Sequence, residues 1–220
     1  MSTTGVPGLS KSRLEMLCDG IFAIVMTLLV LEIGVPSHTE IHGDEQLARR
    51  LLDMWPEVLS YAVSFALLAS FWFAHHFEFS FFARTDRRHI WINILFMLAI
   101  SFVPVSTALL GQFYRYRLVV VVYAGNMAVA GLLLFWNWWY ATRGGRLTVE
   151  GVPERVRKAV SVRLLTYAML FALAMGLSWV STAVGLAVCV AVPVVYIIMQ
   201  VVPHGMDAPR EGVPEAPRGE

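Results

Sequence analysis

Six apolar stretches of about twenty residues dominate the chain, and short polar or charged segments separate them. A helix needs about 20 mostly apolar residues to cross a bilayer, so each stretch predicts one transmembrane helix. The predicted spans are Leu14–Val35, Val58–Phe82, Ile90–Leu110, Leu118–Tyr140, Val160–Val180 and Thr182–Val202. Almost nothing separates the last two, which therefore predict a tight helical hairpin. We expect an all-α membrane protein with one six-helix domain over residues 13–203.

The segments outside the spans are short and polar. Residues 1–12 form a polar tail, and residues 204–220 are rich in proline, glycine and charge, which is typical of disorder. The first apolar run is long and no small-x-small cleavage site follows it, so we expect an uncleaved span rather than a signal peptide. A short surface helix is expected within Thr39–Leu52. Pro104 and Pro193 are candidates for helix kinks.

The composition agrees with a membrane protein. The chain of 220 residues is 57% hydrophobic and only 15% charged, whereas a soluble domain carries about a quarter charged residues. The net charge is +1 and no basic tract is present, so nucleic acid is not an expected partner. The two cysteines, Cys18 and Cys189, both lie in apolar runs and do not indicate a disulfide framework.

The positive charges of the loops predict the orientation, because cytoplasmic loops carry an excess of Lys and Arg. The basic residues between spans two and three, and between spans four and five, are Arg84, Arg87, Arg88, Arg143, Arg146, Arg155, Arg157, Lys158 and Arg163. Both loops are therefore predicted to be cytoplasmic. With six spans, both termini are then cytoplasmic as well.

Polar and ionisable residues recur at one depth near the cytoplasmic ends of the first three spans. Asp19, His75, His76 and Asn93 share this depth, and Arg13 lies just below them. Such residues are rare in membranes and mark functional or buried polar sites. We interpret them chiefly as a hydrogen-bonded cluster that holds three helices together, either as structure alone or around a pathway. A proton relay through Asp19 and a histidine is the alternative.

Metal and enzyme chemistry are not indicated. Adjacent histidines point in different directions on a helix, so His75 and His76 are poorly placed to bind one metal ion. The chain has no HExxH or CxxC spacing. It has no GxSxG nucleophile motif, and too few acids and histidines share one depth to suggest hydrolysis. We expect neither a catalytic residue nor a cofactor.

A stripe of aliphatic residues follows Asp19 along the first span. Ile24, Leu28 and Leu31 share one helix face, Thr27 lies on its flank, and Glu32 lies near the outer end. By itself such a stripe favours ordinary helix packing. No TVGYG-like filter and no voltage-sensing series of arginines is present. A channel made by this chain would therefore select ions with helix side chains.

The start of the first span resembles the signature of the transmembrane protein 175 family of lysosomal potassium channels and their bacterial relatives. That signature, R-x-x-x-F-S-D, corresponds here to RLEMLCD, with Leu17 and Cys18 in place of Phe and Ser. The run from Phe71 to Phe113 is also similar, with W-x-x-H-H, R-x-D, W-x-N and T-A-L-L-G. The resemblance covers the first half of the chain, and the single six-span unit resembles the bacterial members.

The resemblance implies a homotetramer in a bacterial cell (inner) membrane, with the first helix of each subunit lining a central potassium pore. It implies a hydrophobic constriction at Ile24, with Leu28 and Leu31 as further layers, and a selectivity ring at Thr27. We add that Glu32 is placed to attract cations at the outer mouth. The implied inner polar network comprises Arg13, Cys18, Asp19, His75, His76 and Asn93.

The sequence hypothesis is thus a passive, potassium-selective channel whose partners are its own copies and the bilayer, with K⁺ as the permeant ion. Because a thiol is a weaker donor than a hydroxyl, Cys18 predicts a looser inner network. A proton-coupled secondary transporter or proton pathway through Asp19 and His75 or His76 is the alternative. The paired broken helices and inverted repeats common in transporters are absent from the sequence.

Overall fold

The structure is a computed structural model that describes residues 10–36, 41–149 and 152–201, the last five of these as backbone only. Residues 1–9 of the predicted N-terminal tail and the whole predicted C-terminal tail lie outside this description. The regular secondary structure of the described part is helical, apart from one isolated antiparallel bridge between Phe82 and Thr148. The predicted all-α class is confirmed.

Eight α-helices are described. They are α1 (Lys11–Leu28), α2 (Asp44–Asp53), α3 (Trp55–Ser80), α4 (Arg87–Ser101), α5 (Val103–Phe113), α6 (Arg117–Thr142), α7 (Glu154–Leu177) and α8 (Thr182–Val201). A 3₁₀ segment, Leu29–Glu32, extends α1, and a second, Arg143–Gly145, follows α6. The expected surface helix corresponds to α2.

Within the described residues, five segments are long and apolar enough to cross a membrane. They are Lys11–Glu32, Trp55–Ser80, Arg87–Phe113, Arg117–Gly145 and Glu154–Leu177. They coincide with the first five predicted spans, although each boundary differs by a few residues. The part of α8 whose side chains are described, Thr182–Tyr196, is apolar but shorter.

The third span is not one continuous helix. Predicted as a single helix over Ile90–Leu110, it is divided at Phe102 into α4 and α5, with Pro104 in the first turn of α5. Proline lacks the backbone N–H that would continue the helical ladder, and its ring displaces the preceding turn. Pro193, by contrast, lies inside α8, which continues past it.

Small residues allow several helices to pack closely, as is common in membrane bundles. A methyl group added at Gly185 of α8 would lie 2.8 Å from Cβ of Ser178, after the end of α7, and one added at Gly131 of α6 would lie 3.2 Å from Cβ of Ala168. Helices α6, α7 and α8 therefore form one tightly packed group. The first helix lies apart from it and packs against α3, α4 and α5.

Candidate functional site

The first helix has one buried face and one uncovered face. Its buried residues recur at helical spacing and pack into the core: Leu14, Cys18, Phe22, Val25 and Leu29. The residues of the opposite face are exposed in the subunit, and we call this the uncovered face of α1. The sequence pattern alone could not distinguish these faces, because both are apolar.

All four residues predicted to line a pore lie on the uncovered face. Ile24 is 57% exposed, Leu28 42% and Leu31 72%, and Thr27 is also exposed. The stripe is continuous with exposed residues nearer the start of the helix, Met16, Leu17, Gly20 and Ala23. An uncovered apolar stripe on a membrane helix faces lipid, another subunit or a pore.

The two polar residues of this segment differ in their surroundings. The Thr27 hydroxyl donates to the carbonyl oxygens of its own helix, 2.8 Å to Ile24 and 3.1 Å to Ala23. Its hydrogen is therefore committed to the backbone, while the oxygen keeps its lone pairs for an outside ligand. Glu32 ends the 3₁₀ segment and is half-exposed.

The predicted inner network is divided into two groups, of which the first lies at the surface. Asp19 accepts a hydrogen bond of 2.9 Å from the indole Nε1 of Trp72. The Trp72 ring stacks on His76, with centroids 5.6 Å apart, and Nδ1 of His76 lies 4.0 Å from the carboxylate of Glu15. This surface group thus joins α1 to α3 through a tryptophan that the sequence analysis did not assign to it.

The second group is a buried chain of hydrogen bonds through α3, α4 and α6. His75 Nε2 lies 3.0 Å from Asn93 Oδ1, Asn93 Nδ2 donates to Asn137 Oδ1 at 2.8 Å, and Asn137 Nδ2 donates to Glu78 Oε2 at 2.9 Å. Asn93 Nδ2 also donates to the carbonyl of His89. All four side chains of the chain itself are at most 1% exposed.

The direction of this buried chain follows from donor counting. Both hydrogens of the Asn93 amide are used, so its oxygen accepts from His75, and His75 carries its hydrogen on Nε2. Every donor in the chain then points toward Glu78. We therefore describe the group as a directed chain from a histidine to a carboxyl group.

The structure separates the predicted members of the network as follows. His75 and Asn93 are joined in the buried chain, whereas Asp19 and His76 belong to the surface group. Cys18 is fully buried and Arg13 is exposed. Glu78 and Asn137 were missed, although an Asn near the end of an apolar span and a Glu three residues after His75 were visible signals.

The buried chain reaches the first helix through aromatic packing. The His75 ring stacks on Phe96, with centroids 5.7 Å apart and 7° between the planes, and both rings contact Phe22 of α1. Phe22 is 1% exposed and is on the buried face of α1. The chain therefore supports α1 from behind its uncovered face.

No group of three or more His, Cys, Asp or Glu side chains that could hold a metal ion is found within residues 10–36, 41–149 and 152–201. The cysteines in this part of the chain, Cys18 and Cys189, are both free and buried. The chemistry offered near α1 is therefore that of hydroxyl, amide, imidazole and carboxyl groups beside an aliphatic surface.

The comparison with known proteins gives a family match over the part of the chain that contains the first helix. A family model described as endosomal/lysosomal potassium channel TMEM175 matches residues 13–104, which include most of α1 and all of α2, α3 and α4. The protein "Potassium channel Cha6605_3372" of Chamaesiphon minutus is 34% identical over 180 residues, covering 80% of this chain and 88% of the relative.

A second relative and a solved structure extend the comparison. The chicken protein "Endosomal/lysosomal proton channel TMEM175" is 36% identical over 112 residues, which cover 48% of this chain but 22% of the relative. The crystal structure of a lysosomal potassium-selective channel TMEM175 homolog from Chamaesiphon minutus superposes with a TM-score of 0.77, at 31% identity, over 87% of this chain and 98% of that one. The chain belongs to the TMEM175 family of endosomal/lysosomal potassium channels.

Proposed function

We propose that the protein is a potassium-selective cation channel whose pore is lined by the uncovered face of α1. The observation that supports this most is the exposure of Ile24, Thr27, Leu28 and Leu31 on one helix face. One helix cannot enclose a pore, so several copies are needed around an axis. We propose a homotetramer of six-span subunits, with α8 as the sixth span, both termini cytoplasmic, in a bacterial cell (inner) membrane.

The aliphatic layers act as the constriction in this proposal. Rings of Ile24, Leu28 and Leu31 form a dry, narrow segment, and hydrophobic constrictions gate pores by excluding water. Ions pass when the α1 helices move apart or rotate far enough for this segment to fill with water. Neither a bound cofactor nor a catalytic group is required, and K⁺ is the permeant ion.

Two polar residues place oxygen atoms along the aliphatic layers, Thr27 between Ile24 and Leu28, and Glu32 just after Leu31. Thr27 presents the lone pairs of a hydroxyl whose hydrogen is held by the carbonyl oxygens of Ile24 and Ala23, which suits it to contact a cation. A ring of four Glu32 carboxylates at the outer mouth raises the local cation concentration. In this proposal Thr27 selects among cations, and Glu32 attracts them to the outer mouth.

The polar groups behind α1 position it. The bond from Trp72 to Asp19 fixes the inner end of α1 against α3, and the buried chain from His75 to Glu78 fixes the helices on which α1 rests. We assign Arg13, Cys18 and His76 to the same supporting role at the inner end. The proton pathway remains the competing hypothesis, and the similarity of this chain to the chicken proton channel is the observation in its favour.

Cysteine accessibility tests the assignment of the pore face. Leu31 and Val162 of α7 are similarly exposed in the subunit, at 72% and 64%, but only Leu31 lies on the proposed pore face. We expect a positively charged, water-soluble methanethiosulfonate to block most of the potassium flux through Leu31→Cys and to leave Val162→Cys unchanged. Both native cysteines are buried, so the wild type provides the background. Equal effects on the two variants would contradict the assignment.

Removing the Thr27 hydroxyl tests its role in selectivity. Thr27→Val keeps the shape but loses the oxygen, so we expect the ratio of potassium to sodium flux in proteoliposomes to fall roughly fivefold, the equivalent of one hydrogen-bond-sized interaction of about 1 kcal/mol. Thr166→Val, on the exposed surface of α7, is the matched control and should keep the wild-type ratio. An unchanged ratio in Thr27→Val would remove Thr27 from the selectivity mechanism.

A further inference from the structure

A groove lies between the start of α4 and the end of α6, and no residue of α1 is among those that line it. It encloses about 510 Å³, a volume in the usual range for small-molecule sites. Three arginines line its rim, Arg88 on α4 and Arg143 and Arg146 just after α6. All three are exposed, and among the described residues none of them forms an ion pair.

The groove is layered along the helix axes. Below the arginines, Trp91 of α4 and Trp136 and Trp139 of α6 form aromatic walls, and Leu95 lies one turn deeper than Trp91. Arg88 and Leu95 are seven residues apart on one helix, which corresponds to about 10 Å of depth. The lining therefore changes from cationic to aromatic to aliphatic over about the distance from a lipid headgroup to its upper acyl chain.

The turn that carries Arg143 and Arg146 is held in one conformation by its glycines and by hydrogen bonds to its backbone. Gly144 and Gly145 adopt left-handed φ angles of 66° and 64°, which turn the chain sharply after α6. Both Nε and Nη2 of Arg84 donate to the Arg146 carbonyl, at 3.1 and 2.9 Å, and the amide of Leu147 donates to the Ala141 carbonyl. The Arg143 and Arg146 side chains thus project from a fixed turn.

Aromatic rings orient the two guanidinium groups of this turn. The Arg143 guanidinium carbon lies 4.8 Å from the centre of the Trp139 ring, and that of Arg146 lies 4.8 Å from the centre of the Tyr140 ring. Such cation–π contacts hold a guanidinium in one place and leave its N–H donors available at the edges.

One carboxylate lies close to the groove. Asp86 accepts hydrogen bonds from the Tyr140 hydroxyl and from the His89 amide, both at 2.8 Å. Partial burial raises the pKa of this carboxyl, but the hydrogen bonds outweigh burial and keep the pKa below its ordinary value. Asp86 is therefore ionised at neutral pH, and this one carboxylate is outnumbered by the three arginines that line the groove, which leaves the groove with an excess of positive charge.

We propose that this groove binds the phosphate headgroup of an anionic glycerophospholipid, with the arginines on the phosphate and an acyl chain along the tryptophans and Leu95. Basic pockets between membrane helices bind anionic headgroups at the cytoplasmic surface. The excess positive charge favours an anionic lipid over a zwitterionic one. A free phosphate would satisfy the arginines but would leave the aromatic and aliphatic lining uncovered, which favours the lipid as the occupant.

Native mass spectrometry of the assembled, detergent-solubilised protein tests this proposal. Phosphatidylglycerol is titrated against wild type, Arg143→Gln/Arg146→Gln and the control Arg50→Gln/Arg115→Gln, which removes two exposed arginines outside the groove. The groove variant loses two of the three guanidinium groups that would contact the phosphate, so we expect it to bind phosphatidylglycerol at least about tenfold more weakly. The control is expected to bind like wild type, and phosphatidylcholine to bind weakly to all three proteins.

Several outcomes would overturn the proposal. These are equal binding of phosphatidylglycerol by the groove and control variants, equal binding of the two lipids, or displacement of phosphatidylglycerol by glycerol 3-phosphate at equal concentration, which would indicate a site for free phosphate. The oligomer mass in the same spectra reports assembly. Should the double variant not assemble, Arg88→Gln provides the same test, with weaker phosphatidylglycerol binding expected and wild-type binding contradicting the proposal.

Discussion

Replacing Ile24 with asparagine is expected to raise potassium flux in proteoliposomes about tenfold or more. Ile24 is 57% exposed on the proposed pore face and forms its first aliphatic layer. A ring of asparagine amides donates and accepts hydrogen bonds, so water and hydrated ions enter the segment at a lower free-energy cost. A barrier lowered by about 1.4 kcal/mol corresponds to a tenfold change.

A matched substitution separates this effect from a general loosening of the protein. Val162 of α7 is 64% exposed, and α7 is not among the helices that pack against α1. Val162→Asn therefore introduces the same amide outside the proposed pore and should leave the flux at the wild-type level. Flux through Ile24→Asn that does not exceed wild type would show that Ile24 is not the constriction.

Replacing Asn137 with leucine is expected to cause the largest loss of stability. The substitution removes the acceptor of Asn93 Nδ2 and the donor to Glu78 Oε2 together, and both groups stay buried. Each unpaired buried group costs about 1–3 kcal/mol, so the total is a large fraction of a typical stability of roughly 5–15 kcal/mol. We expect the thermal unfolding midpoint in detergent to fall by about 10 °C.

The same helix supplies a control for this prediction. Asn126 of α6 is half-buried and donates one longer hydrogen bond, 3.2 Å to the Ser106 hydroxyl. Asn126→Leu makes the same chemical change with one weak bond lost, so we expect a shift of only a few degrees. Comparable decreases in the unfolding midpoint of the two variants would mean that the hydrogen-bonded chain from His75 to Glu78 does not contribute more to stability than the single bond of Asn126.

The helices could be predicted because a membrane span is a local property of sequence. About twenty apolar residues are enough to identify it, and Pro104 was recognisable as a kink candidate. The position at which the third span breaks was not predictable, because a proline kinks some helices and is tolerated in others, as Pro193 is in α8. The depth of each polar residue in the membrane could also be predicted, by counting residues from the end of its span.

The direction in which each side chain points could not be counted in this way. His75 and His76 share a depth, yet His75 faces the core and His76 faces outward, because successive residues differ by about 100° around a helix. The hydrogen-bond partners of these residues on other helices could not be predicted from the sequence either. Asp19 pairs with Trp72 rather than with a histidine, and Asn93 connects to Asn137, which is 44 residues away in sequence.

The most direct test of the proposed function is ion flux in liposomes that contain the purified wild-type protein. A potassium gradient and then a sodium gradient are imposed, while proton movement is followed in parallel with a pH-sensitive dye. A passive potassium channel predicts potassium flux that exceeds sodium flux and needs no pH gradient. No potassium flux, together with proton movement that Asp19→Asn abolishes, would contradict the channel and support the proton pathway.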